Sequence, residues 1–235
     1  MAAPDDLLDY FFGDQQPALY PELERWLRGS RRFQTFAHFY RGKIRAKLRN
    51  ARDEAGQKDL RAELETAALL LRDERFVVEY EKYAASKQRG PDFTVTFKTH
   101  TPFNVEVRRM RGVELEAGDA AARLAKLVAV LGDKVGQMPP SIVNLLWLIA
   151  EQGVVEADVA QAAATLRQLA EHKTELFFTR RGFESAADFL KQYGRLSGVI
   201  VRQSGEPVLW LNPLARHKTP PEIALALRRL AASEV

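Results

Sequence analysis

From Gly90 to Arg108 apolar and polar residues alternate almost without a break, and no other stretch constrains the fold as tightly. Successive side chains of a strand point to opposite faces, so a period of two marks a half-buried strand. Phe93, Val95 and Phe97 fall on one face, together with Phe103, Val105 and Val107 of a second strand. Asp92, Thr94, Thr96 and Lys98 fall on the other, with Asn104, Glu106 and Arg108. The few residues between the runs predict a hairpin. If Lys98 pairs with Pro102, then Thr94 faces Glu106 and Asp92 faces Arg108, leaving Asp92 and Glu106 on a diagonal about 7 Å apart. Two carboxylates at that spacing can reach one hard divalent cation, whose oxygen ligands sit at about 2.0–2.6 Å. The same register also describes a plain cross-strand ion pair, Asp92 to Arg108, on a solvated face.

The order Pro91-Asp92, strand, turn, then Glu106-Val107-Arg108 resembles the PD-(D/E)xK nuclease superfamily, whose fold is restriction-endonuclease-like. The resemblance spans roughly residues 74–150 as an ordered set of elements. It implies that Asp92 and Glu106 hold Mg2+ or Mn2+, helped by the Val107 carbonyl, and that a carboxylate from the preceding helix joins them. It also implies hydrolysis of phosphodiester bonds in DNA, with Arg108 facing the scissile phosphate. Such families usually carry Lys where this chain has Arg108. An arginine keeps its charge and can stabilise a phosphate, but it is never deprotonated and cannot serve as a base. Lys98, or Lys126 or Lys134 from the following helix, can take over that role. The departure keeps a second reading open: a nuclease-fold protein that has lost catalysis and binds nucleic acid or acts as a scaffold. Many cutters of duplex DNA work as pairs, so a homodimer is open as well.

The remaining elements follow from periodicity. Residues 57–71 read as a helix burying Leu60, Leu64, Ala67, Ala68 and Leu71. Residues 73–86 read as another, with Phe76, Val77, Tyr80 and Tyr83 on one stripe and Glu79 and Glu81 flanking it. Glu79 is the candidate for the helical carboxylate. Gly112 to Gly118 reads as a loop, Asp119 as an N-cap, and Ala120 to Val135 as a helix carrying Lys126 and Lys134 at its polar edge. The apolar run Ser141 to Ala150, bounded by Pro139-Pro140 and Gly153, has the look of a strand buried on both faces. Further helices are expected over 156–172, 183–193 and 220–230, with a hairpin formed by 198–202 and 207–211. The expected fold is therefore α/β: a restriction-endonuclease-like mixed sheet flanked by helices over 57–235, preceded by a basic helical segment over 1–56.

Charge concentrates in that segment. Between Glu22 and Arg52 ten Lys or Arg stand against two Glu, a net of +8, although the whole chain carries only +4. Phe33, Phe36, Ala37, Tyr40, Ile44 and Leu48 recur at helical spacing through it, predicting an amphipathic helix over about 31–51. Arg41, Arg45 and Arg49 form one polar row, Lys43 and Lys47 another. Such a face can track a phosphate backbone, and it is equally the look of a solvated helix surface. Arg41, Arg45, Arg49, Lys98 and Lys134 are the candidate nucleic-acid contacts. The chain has no cysteine, which removes thiol nucleophiles and cysteine–zinc sites, and its four histidines show no metal-ligand spacing. The longest apolar run falls far short of the roughly 20 residues of a spanning helix, and the acidic N-terminus lacks a signal-peptide core. A cytoplasmic protein with no membrane partner is expected.

Overall fold

The computed structural model describes residues 2–83, 90–110, 120–151 and 153–234. The expected loop over 112–118, the N-cap at Asp119 and residues 84–86 of the helix expected over 73–86 lie outside them. The chain begins with five helices: α1 (Pro4–Phe12), α2 (Tyr20–Gly29), α3 (Arg31–Phe39), α4 (Arg41–Asn50) and α5 (Glu54–Leu70). Three strands follow, β1 (Phe76–Tyr80), β2 (Phe93–Phe97) and β3 (Thr101–Arg109), then α6 (Ala120–Val135) and β4 (Val143–Ile149). Helices α7 (Glu156–Glu171), α8 (Glu175–Thr179) and α9 (Ala186–Tyr193) lead to β5 (Leu196–Arg202), β6 (Val208–Leu211) and α10 (Pro221–Ala231).

The strands form one mixed sheet in chain order, β1 to β6. The pairs β3–β4 and β4–β5 are parallel; the pairs β1–β2, β2–β3 and β5–β6 are antiparallel. Helices cover both faces. One core joins α1–α5 and α10 to Phe93, Val95, Phe103, Val105, Leu145 and Trp147; the other joins α6–α9 to Leu146, Leu148, Val199 and Val201. Burial on both sides is why β4 reads as an unbroken apolar run rather than an alternating one. No helix among the described residues is long and apolar enough to cross a membrane.

Three expectations change. Residues 76–80 are a strand, not part of a helix: Phe76, Val78 and Tyr80 point inward while Val77 is exposed, a period of two. Phe76 and Tyr80 satisfy both periods, and pairing with β2 decides between them. The basic amphipathic stretch is two helices, broken at Tyr40, whose φ of −96° and ψ of 15° leave the helical range. Both pieces pack on the sheet through Phe33, Phe36, Ala37 and Ile44, in the same core as β1–β3.

The β2–β3 turn has the expected length but lies one residue earlier in the chain. Lys98 and Thr99 adopt left-handed φ angles of 48° and 70°, closing the turn so that Phe97 pairs with Thr101 and Phe93 with Val105. The register thus shifts by two residues. Carried one step beyond the paired residues, it sets Asp92 opposite Glu106 instead of opposite Arg108.

Candidate active site

Four elements meet at the end of the sheet where β2 begins and β3 ends. The residue before β2 supplies Asp92, β3 supplies Glu106 and Arg108, α5 supplies Asp59 and Glu63, and α6 supplies Lys134. Together they line a cavity of about 110 Å³. The alternation of β3 aims Glu106 away from the core under α1–α5, toward α6, and the cross-strand register brings Asp92 beside it.

Each carboxylate has a donor. Asp92 Oδ2 accepts the backbone N–H of Val107 at 2.8 Å. Glu106 is buried, and its Oε1 accepts Lys134 Nζ at 2.5 Å; Lys134 also donates to Gln137 Oε1 at 3.3 Å. Glu63 Oε2 accepts Lys47 Nζ at 2.5 Å and the Tyr80 hydroxyl at 2.6 Å. Lys47 is shared with Glu81 at 2.8 Å. Asp59 Oδ1 accepts Arg109 Nε at 3.2 Å.

The electrostatics single out Asp92. Desolvation raises its pKa well above the ordinary carboxylate range, and the negative charges of Glu106 and Glu63 raise it further. Lys47 and the Val107 N–H pull the other way without cancelling the effect. For Lys47 burial disfavours the charge, but Glu63 and Asp92 more than offset it, and its ammonium is held above the usual lysine range. Burial and Glu63 likewise push the Tyr80 phenol far up, keeping it a proton donor. The cluster is therefore crowded with negative charge despite its two lysines.

Of the residues singled out in the sequence, Asp92, Glu106, Arg108 and Lys134 come together here. Glu79 does not. It sits on β1, outside this cavity, and bonds Lys82 Nζ at 3.0 Å. With residues 76–80 a strand, the helix preceding the motif is α5, and the helical carboxylate beside Asp92 is Glu63. Lys98 lies beyond the opposite end of β2 from Asp92 and pairs with Glu222 at 2.5 Å. Arg41 and Arg45 stand over the Tyr10 ring, at 5.9 and 4.5 Å from its centroid, and Arg49 lines a separate hollow with Phe12 and Leu48. The other row, Lys43 and Lys47, is the one that faces the site: Lys43 Nζ donates to the Tyr80 and Glu81 carbonyls at 3.0 and 3.1 Å. Glu63, Lys47 and Tyr80 were not singled out as site residues in the sequence. A signal for Glu63 exists in its position four residues after Asp59, beside the buried stripe of α5.

As the side chains stand, no group of three or more His, Asp or Glu among the described residues is arranged to hold a metal ion. Glu106 and Glu63 are each turned toward a lysine. Comparisons with protein-family models, curated proteins and solved structures yield no match to this chain.

Proposed function

We propose that this protein is a metal-dependent nuclease of the restriction-endonuclease-like fold, hydrolysing phosphodiester bonds in DNA. One observation carries the reading: Asp92, Glu106 and Glu63 converge with Lys134 and Arg108 on one small cavity. The donor set suits Mg2+ or Mn2+, being hard oxygen atoms from Asp92 and Glu106 with the Val107 carbonyl next to Glu106 in sequence. The raised pKa of Asp92 supports the fit, because it marks a place short of positive charge. When bound, such an ion supplies a water of lowered pKa and neutralises charge at the phosphate.

The chain's own groups have separable tasks in this reading. Lys134, hydrogen-bonded to Glu106, takes the place of the missing motif lysine. Arg108 stays charged and stabilises the phosphate electrostatically. Glu63, held by Tyr80 and Lys47, positions a water or adds a ligand. The order α5-β1-β2-β3-α6-β4 and the mixed sheet agree with the proposed fold.

The second reading is a nucleic-acid binder without catalysis, and one observation favours it. Lys134 and Lys47 already neutralise Glu106 and Glu63, so the site is partly closed electrically by its own cations. One experiment separates the two. Supercoiled plasmid is incubated with the protein in Mg2+ or Mn2+, with EDTA as control, for wild type, Asp92→Asn, Glu63→Gln and Glu79→Gln. The nuclease predicts metal-dependent nicking that Asp92→Asn abolishes, Glu63→Gln lowers about tenfold or more, and Glu79→Gln leaves intact. A salt-sensitive gel shift without nicking supports the binder.

A further inference from the structure

A different part of the molecule carries a binding surface. Among the described residues strand β1 is an edge of the sheet, paired only with β2. The bonds Glu81 N–H to Asp92 O and Lys98 N–H to Arg75 O show that the odd-numbered residues here turn their backbone groups toward β2. The even-numbered residues Phe76, Val78 and Tyr80 therefore turn theirs outward. Two of the outward carbonyls are occupied: Arg32 Nη2 donates to Phe76 O and Lys43 Nζ to Tyr80 O. These side chains block the strand at both ends, the usual protection of an exposed edge. Between them no side chain among the described residues hydrogen-bonds the N–H or C=O of Val78.

That opening faces the largest cavity described, about 540 Å³, between α3 and β1. Its walls are apolar, formed by Phe36, Phe39, Tyr40, Leu71 and Val77. Phe39 is 77% exposed and Val77 56%, the two most exposed large apolar side chains of this region. The charged residues that line it are Arg31, Arg32 and Glu79, and Glu79 is bridged to Lys82. The groove is thus apolar in its floor, cationic at its rim, and carries one outward backbone donor–acceptor pair.

We infer that this groove binds an extended peptide segment of a partner protein, adding a short strand to β1 with an apolar side chain against Phe39 and acidic residues toward Arg31 and Arg32. Strand addition uses main-chain hydrogen bonds for affinity and pockets for alternate side chains for selectivity. The outward amide pair of Val78 selects a peptide backbone over a purely apolar ligand. The blocked flanks restrict the added strand to a few residues, and the cationic rim selects acidic ones.

The test uses a fluorescein-labelled peptide alternating Asp and Val around a central Phe, titrated with the full-length protein by fluorescence anisotropy. Controls are the same peptide with proline replacing the central valines, a Lys-for-Asp version, and labelled oligo-dT. Phe39→Glu and Arg31→Glu alter exposed residues and leave the core intact. Expected are saturable binding of the acidic peptide, weakened about tenfold or more by Phe39→Glu, by Arg31→Glu and by the proline control. No binding, or binding indifferent to Phe39→Glu or to proline, overturns the inference. Oligo-dT competing at a Phe39-dependent site overturns it in favour of nucleic acid. Concentration-dependent dimers in sedimentation that Phe39→Glu abolishes overturn it in favour of a second copy of the chain.

Discussion

The sheet face beneath α6 carries two polar clusters that share burial and little else. In the first, Thr94 Oγ1 donates to Asn104 Oδ1 at 2.9 Å, and Asn104 Nδ2 donates to Asn144 Oδ1 at 2.9 Å. Asn144 Nδ2 in turn reaches the carbonyls of Pro139, Ile142 and Arg195, while its backbone N–H donates to Ser197 Oγ. Every group is neutral, and this ladder ties β2, β3, β4 and β5 together. The second cluster lies two residues further along β3, at Glu106. It is built of charges, it borders a cavity, and the pKa of Asp92 is displaced. A buried polar group that is fully satisfied holds a register; a buried carboxyl group whose pKa is displaced, as that of Asp92 is, is prepared for a ligand. Asn104 and Glu106 share one strand and one face, and only Glu106 has chemistry to offer.

That contrast can be broken at three places. Replacing Asn144 with Leu removes the donor to three half-buried carbonyls and leaves the Asn104 amide only the Tyr83 hydroxyl at 3.3 Å, and should cost about 3–5 kcal/mol in urea unfolding. A loss below about 1 kcal/mol would mean the ladder is not what fixes the sheet. Lys134→Met leaves Glu106 buried without its ammonium and should cost about 2 kcal/mol, less than a fully buried pair because Lys134 keeps some solvent contact. Here Mg2+ should restore part of the loss, whereas it should do nothing for Asn144→Leu.

The smallest effect concerns pH. Because Asp92 has a higher pKa folded than unfolded, the folded state holds its proton more tightly, and its contribution to stability is present at low pH and lost as pH rises through the folded value. At neutral pH the residue therefore works against folding. Asp92→Asn keeps an oxygen for the Val107 N–H and should be slightly more stable than wild type at neutral pH. The advantage should vanish as the pH falls to about 4, near the unfolded carboxylate. Unfolding free energies at several pH values check the sign, and an advantage that grows on acidification would contradict it.

Much of the sheet could be read from the chain. The alternation of Phe93, Val95 and Phe97 with Phe103, Val105 and Val107 gave both strands and their faces, and the unbroken apolar run gave β4. Asp92 and Glu106 followed from the same pattern, and the order of elements around them led to Lys134. The register did not, because it hangs on left-handed backbone at Lys98 and Thr99, residues with no strong turn signature. Strand β1 was hidden by Phe76 and Tyr80, whose spacing fits a helix and a strand equally well. With residues 76–80 read as a helix the helical carboxylate before the motif is Glu79; with them a strand it is Glu63 on α5. Lys47 was visible as a basic residue, but only the docking of α4 on α5 separates the row that faces the site from the row that stacks on Tyr10.

Titration of Mn2+ into the protein, followed by the loss of the free-ion electron paramagnetic resonance signal, tests the shared carboxylate site most directly. Saturable binding that Asp92→Asn eliminates and that Mg2+ competes away is the result expected. Binding that persists in Asp92→Asn, or a signal that wild type never diminishes, would contradict it.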